Sequence, residues 1–242
     1  MQLWGHTDIG NGRADNQDSI YGNAALGLMI LADGMGGQNG GEVASQKAVF
    51  GTAEMLEDVL PTLSAPTGEQ ISALIETAIA EQNLALFRQA EEDPRLRGMG
   101  CTLVVVVVSG TTAIIANVGD SRCYHYRGGE FTQVTRDHSL AQAQIDSGII
   151  TEDEAEAGAV KNVLMRAVGV SETVNVDFFE VALTPGDYLM TCSDGMLQPY
   201  NAAALEELFM RAMDQSDPAH FLVEQAVAAG TSDNVSVQVA QF

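Results

Sequence analysis

Apolar and polar positions along this chain fall into two kinds of run. Short stretches rich in Val, Ile, Leu and aromatics, bounded by Gly, Asp, Asn or Pro, occupy 2–9, 26–32, 101–108, 112–118, 121–127, 130–134, 174–183, 187–192 and 234–241. They read as strands. "TLVVVVVSGTTAIIANV" predicts a hairpin through Ser109-Gly110, and "CYHYRGGEFTQV" another through Gly128-Gly129. Apolar residues at helical spacing predict helices over 42–58, 68–91, 201–213 and 218–229. Asp217 supplies an N-cap to the last, with Pro218 in its first turn. Between 136 and 170 the pattern is shorter and more polar. Ser139 to Gln142 and Thr151 to Glu154 have capping-box spacing, which predicts two small helices in an insertion beside the core. Neither repeats nor a linker divide the chain, so 1–242 reads as one domain. Hairpins with helices before and after them predict an α+β layered fold, not the strict alternation of a parallel sheet.

Composition narrows this further. A chain of 242 residues with 46% hydrophobic content is long enough to bury a substantial core. "MQLWGHTDIGNGR" lacks the basic head and apolar stretch of a signal peptide. The longest aliphatic run, "LVVVVV" at 103–108, is too short to span a bilayer. A cytoplasmic protein that engages no membrane is expected. The formal charge of −22, from 33 acidic against 11 basic residues, offers no basic surface for nucleic acid. Carboxylates crowded together in such a chain would need cations to stay ionised. Cys101, Cys123 and Cys192 have no paired spacing and read as buried free thiols.

The stretch "LMILADGMGGQNGGEVASQKAVF", 28–50, has the strand–glycine–helix order of a phosphate cradle. It fails that reading. From Gly34 and Gly36 the third fingerprint glycine falls on Asn39, and Lys47 and Lys161 follow Gln46 and Val160. Instead, "ADGM" delivers Asp33 at a strand end, and the same device recurs. "ANVGDSR" delivers Asp120, "TCSDGM" delivers Asp194, "TSDNVSVQV" opens with Asp233, and "RADNQDS" places Asp18 just before a short strand. Any one Asp-Gly is most often a turn. If these acids converge, an all-oxygen site for Mg²⁺ or Mn²⁺ results. His6, His125, His138 and His220 are scattered and offer no competing site. A cysteine-dependent phosphatase is excluded, because the positions six beyond the three cysteines are Val107, Gly129 and Gln198, not arginine.

"TDIGNGRADNQDS", "ADGMGGQNGGEVAS", "GMGCTLV", "ANVGDSRCYHYRGGEFTQVTRDHS", "LMRAVG", "PGDYLMTCSDGM" and "SDNVSVQV" occur in that order from Thr7 to Val239. Together they resemble the metal-dependent protein phosphatases of type 2C in their compact bacterial form. The resemblance implies a four-layer α-β-β-α sandwich: two central antiparallel sheets with helices on both outer faces, and a flap over 136–170 beside the active site. It implies that Asp33 bridges two Mn²⁺ or Mg²⁺ ions, with the Gly34 carbonyl on one and Asp194 and Asp233 completing the pair. Asp120 would help hold a third ion. Asp18 would bind metal-coordinated water and touch that ion, and Arg13 would hold the substrate phosphate.

The implied reaction is in-line attack of a hydroxide bridging the ions on phosphoserine or phosphothreonine, without a covalent phosphoenzyme. The implied partners are phosphoproteins and a cognate Ser/Thr kinase, and the implied state is a monomer. Two readings stay open beside it: a catalytically silent phosphoprotein-binding regulator, and a hydrolase of small phosphate esters. Departures from the family pattern are Met35, where animal members place a proton-donating histidine, and Gln38 and Gln198 near the site mouth. "TEDEAEA" at 151–157 is read as an acidic first helical turn rather than a surface for basic phosphopeptides.

Overall fold

The computed structural model describes residues 1–36, 40–151, 154 and 163–242. Gln38, Lys161 and most of the acidic run at 151–157 therefore lie outside the described residues.

One sheet takes its strands in the order β1 (Gln2–Asp8), β11 (Val235–Gln241), β10 (Tyr188–Cys192), β7 (Arg122–Arg127) and β8 (Glu130–Gln133). The second runs β2 (Asp18–Asn23), β3 (Leu28–Met35), β5 (Leu103–Ser109), β6 (Thr112–Val118) and β9 (Asp177–Ala182). A short β4 (Gly100–Cys101) adds to β3 as its sixth strand. Every pairing is antiparallel.

The unbroken apolar strands follow from burial on both faces. In β3, Leu28, Ile30 and Ala32 pack under α1 (Gly40–Val59) and α2 (Gly68–Glu92), while Met29 faces the other sheet. β5 divides likewise: Leu103, Val105 and Val107 face the helices, and Val104 and Val106 face the sheet. On the far side, Val235, Val237 and Val239 of β11 pack under α5 (Ala202–Ala212) and α6 (Pro218–Ala228) around Phe209. α3 (Leu140–Asp146) and the single turn α4 (Asp194–Leu197) complete the described α-helices. The result is the expected helix–sheet–sheet–helix stack with three apolar layers.

Several local expectations are met. Arg127 pairs with Glu130 across Gly128-Gly129. The Ser139 hydroxyl caps α3 through the Gln142 amide, and Thr151 and Glu154 bond reciprocally as a capping box. Asp217 caps α6. The three cysteines are buried free thiols whose pKa values burial raises.

Others shift, each for a physical reason. The first hairpin closes over Gly110 and Thr111, one residue beyond Ser109-Gly110, because Ser109 still pairs with Thr112. The run at 101–108 is two strands. Thr102 breaks it by turning its amide and hydroxyl to Asp33. β3 does not stop before its aspartate but continues to Met35, because Gly34 and Met35 pair with Cys101 and Gly100. Residues 174–176 precede β9 rather than belonging to it; Val174 and Val176 pack against the helical core.

Candidate metal centre

The five aspartates lie where the two sheets meet. Asp18, the first residue of β2, is the direct partner of Asp33 on β3. Ser193, which precedes α4, donates its hydroxyl to Asp18 Oδ2 at 2.7 Å and accepts the Ser236 N–H at 2.9 Å. One serine thus ties Asp18 to the strand leading out of Asp233 and to the turn that opens with Asp194. Asp33 is held at its backbone: its N–H donates to Thr102 Oγ1 at 2.9 Å and its carbonyl accepts the Thr102 N–H at 2.8 Å. Asp120 follows β6 and is half-buried.

Arg13 and Asp233 come from opposite ends of the chain. Arg13 Nη2 donates to Asp233 Oδ2 at 2.7 Å. Asn234 fastens the loop carrying Arg13: its Nδ2 donates to the carbonyls of Ile9 and Asp15 at 2.9 and 3.0 Å, and its Oδ1 accepts the Gln17 N–H at 2.8 Å. Gln198 performs a similar service beside Asp233, accepting from the Ser232 N–H at 3.1 Å and the Ser232 hydroxyl at 3.0 Å.

Gly34 is demanded by crowding. A Cβ there would stand 2.1 Å from the Gly41 carbonyl oxygen and 2.5 Å from that of Gln17. Only a residue without a side chain lets the first turn of α1 and the Gln17 carbonyl close on the backbone beside Asp33.

The electrostatics of this arrangement are unfavourable without a cation. Burial, and then the charges of Asp18, Asp194, Asp120 and Asp233, hold the Asp33 carboxyl well above the usual carboxylate range. Burial also raises Asp18, against the lowering effect of the Ser193 and Ser236 hydroxyls. Asp120 is pushed up to about 7 by burial, then by Asp194 and Asp137. Asp18 Oδ1 is buried and has no hydrogen-bond partner among the described residues.

Oxygen donors in mutual repulsion, one of them buried and unsatisfied, fit hard divalent ions. Among the described residues, however, no three His, Cys, Asp or Glu side chains already stand at metal-holding spacing. The acids feel one another's charge without closing on a point, and Asp233 is ion-paired with Arg13.

Of the scattered histidines, two in fact meet: His6 on β1 and His220 on α6 stand edge to face with ring centroids 4.5 Å apart. His138 touches the loop of Asp120, its Nδ1 accepting the Gly119 N–H at 3.0 Å. Ser193, Thr102, Asn234 and Gln198 support the aspartates, yet spacing along the sequence does not mark them for this role. Their only signal is position, beside or facing an aspartate.

The sequence model of the family described as Protein phosphatase 2C matches residues 5–229. The Mycobacterium tuberculosis serine/threonine protein phosphatase PstP is 36% identical over 234 residues, which cover 97% of this chain and 43% of that protein. The Listeria innocua serine/threonine phosphatase stp is 35% identical over 238 residues, covering 97% of this chain and 93% of that one. A crystal structure of the mycobacterial PstP/Ppp phosphatase superposes with a TM-score of 0.88 at 34% identity, covering 100% of this chain and 98% of that one. The PstP catalytic domain in complex with two manganese ions superposes with a TM-score of 0.85 at 34% identity, over 99% of this chain and 97% of that one. The chain thus spans under half the length of the mycobacterial protein it matches in sequence.

Proposed function

The chain belongs to the protein phosphatase 2C family, and from that premise we propose that it is a metal-dependent phosphatase of phosphoserine and phosphothreonine in proteins. The observation that carries this reading is the convergence of four acids on Asp33 at the end of β3, where the charges of Asp18, Asp194, Asp120 and Asp233 all bear on its carboxyl. Asp33, Asp194, Asp233 and the Gly34 carbonyl would hold two Mn²⁺ or Mg²⁺ ions, and Asp120 and Asp18 a third. The relative solved with two manganese ions supports the choice of metal. When bound, such ions lower the pKa of water and neutralise the charge that builds on a phosphoryl group.

The chain's own residues supply the rest. The Arg13 side chain is 53% exposed and joined to the fold's centre through Asp233. Its planar guanidinium suits two oxygens of an incoming phosphate. On that arrival it would release Asp233. Asp18, fixed by Ser193, would orient water at the ions. Met35 cannot donate a proton to the leaving oxygen, so the proton must come from water. None of the thiols serves as a nucleophile, since all three are buried and held protonated.

The partners of this reading are phosphoproteins and a kinase that makes serine and threonine phosphoesters, with one chain sufficient for the chemistry. The segment 136–170, of which positions 152–153 and 155–162 lie outside the described residues, would form the flap beside the site. Its ends are tied to the core by the Cys101–Val168 bridge and the His138–Gly119 contacts. No described helix is long and apolar enough to cross a membrane.

The test is hydrolysis of a phosphothreonine peptide by the purified chain. Turnover should require Mn²⁺ or Mg²⁺ and stop with EDTA. Equal turnover in EDTA would overturn the reading.

A further inference from the structure

Thr102 occupies the one-residue gap between β4 and β5 and is 3% exposed. It grips the Asp33 residue at both backbone groups, accepting its N–H on Oγ1 at 2.9 Å and donating its own N–H to its carbonyl at 2.8 Å. The same hydroxyl lies 2.7 Å from Ser121 Oγ, and Ser121 is fully buried. Ser121 follows Asp120 directly.

The far side of Thr102 is just as tightly met. Gly119 has φ +109°, and a Cβ on it would stand 2.6 Å from Thr102 Cγ2. The loop carrying Asp120 therefore leans on the methyl group of Thr102 while its next residue bonds the hydroxyl. One side chain touches the supports of two acids whose own elements, β3 and the β6–β7 turn, are not sequence neighbours.

We propose that Thr102 is a positioning residue that couples Asp33 to Asp120, so that the ions these acids would hold are bound interdependently. The proposal rests on the metal-dependent reading above. A hydroxyl has one proton and two lone pairs, enough to receive the Asp33 N–H and share a bond with Ser121 at once. Losing it takes a bond from the Asp33 N–H and one from Ser121 at once, leaving Asp33 held by the Thr102 N–H alone. Partners of this kind, bonded to ligands rather than to the metal, typically change metal affinity by about 10- to 100-fold when removed.

The experiment is calorimetric titration of manganese alone into the EDTA-stripped chain 1–242, with a thermal melt of each variant. Wild type should take up manganese in a tighter and a weaker phase. Thr102→Val, which replaces the hydroxyl by a methyl of similar volume, should weaken both phases about tenfold. Thr102→Ser, which keeps the hydroxyl, should restore them to within about threefold. Ser121→Ala, which leaves the Asp33 bond intact, should weaken only the weaker phase.

Wild-type titration by Thr102→Val would overturn the proposal. So would Thr102→Ser binding as poorly as Thr102→Val, since a retained hydroxyl would then fail to hold the two acids. Should Thr102→Val unfold, Ser121→Ala decides: an unchanged weaker phase overturns the coupling. A wild-type chain that takes up no manganese would instead sink the metal-dependent reading itself.

Discussion

Arg13 and Asp233 are 220 residues apart in sequence and share a 2.7 Å ion pair at the centre of the candidate site. The guanidinium is the one cation in direct contact with the five aspartates among the described ion pairs. Because the Arg13 side chain is 53% exposed, solvent screens the pair. Arg13→Ala should therefore change unfolding stability by no more than about 0.5 kcal/mol. It should still raise KM for a phosphothreonine peptide severalfold, and Arg13→Lys should recover only part of this, since an ammonium lacks the bidentate fork. Steady-state kinetics alongside urea unfolding would check both halves. A large loss of stability with unchanged KM would assign Arg13 to structure alone.

Asp194 begins a one-turn helix behind Ser193. Asp194→Asn keeps the side chain's volume and removes its charge. Most of the peptide-hydrolysing activity should vanish while far-ultraviolet circular dichroism stays that of wild type. Full turnover by this variant would remove Asp194 from the site.

Ser193 bonds Asp18 Oδ2 and the Ser236 N–H while itself fully buried. Ser193→Ala leaves both without that partner, a cost of about 1–3 kcal/mol in unfolding free energy. Activity should fall as well, because Asp18 loses its fixed rotamer. Chemical denaturation and turnover measured on one preparation would test the pair of effects.

The buried acids set a pH dependence of definite sign. Folding raises Asp33, Asp18 and Asp120, the last to about 7. A group raised on folding contributes stability that is complete below its unfolded value, about 4, and is lost as pH climbs through the folded value. The melting temperature of the EDTA-stripped chain should therefore fall between about pH 5 and 8. Manganese should raise it more at pH 8 than at pH 5. Differential scanning calorimetry giving a flat metal-free profile would contradict the burial of these charges.

Asp187 has the opposite sign. The Arg127 guanidinium above all, with the Thr184 backbone and His125, holds its carboxyl below the usual range. Its contribution is present above about pH 4 and lost as pH falls through the folded value. Asp187→Asn should cost about 2 kcal/mol at neutral pH and flatten the acid limb of the melting curve. A wild-type acid limb in that variant would place the acid sensitivity elsewhere.

The strands were legible because burial on both faces leaves unbroken apolar runs such as "LMILA" and "LVVVVV", which little else produces. The aspartates were legible because each follows or opens such a run. What held them was not. Ser193 reaches Asp18 across 175 positions and Asn234 reaches Gln17 across 217, distances at which spacing carries no information. The break at Thr102 was hidden for another reason. A β-branched residue between Cys101 and Leu103 has every local preference for strand, and only the tertiary demand of Asp33 overrides it. The meeting of His6 with His220 depends on α6 lying across β1, which no local pattern encodes.

The pairing of Gln2 with Gln241 has a consequence for synthesis. A growing chain carries Asp18 and Asp33 long before it carries Asp233 and β11, the strand that pairs with β1. Long-range closure of that kind is slow. Polypeptides that stop short of β11 would therefore be inert towards phosphoesters, and competence would wait for that strand to close on β1.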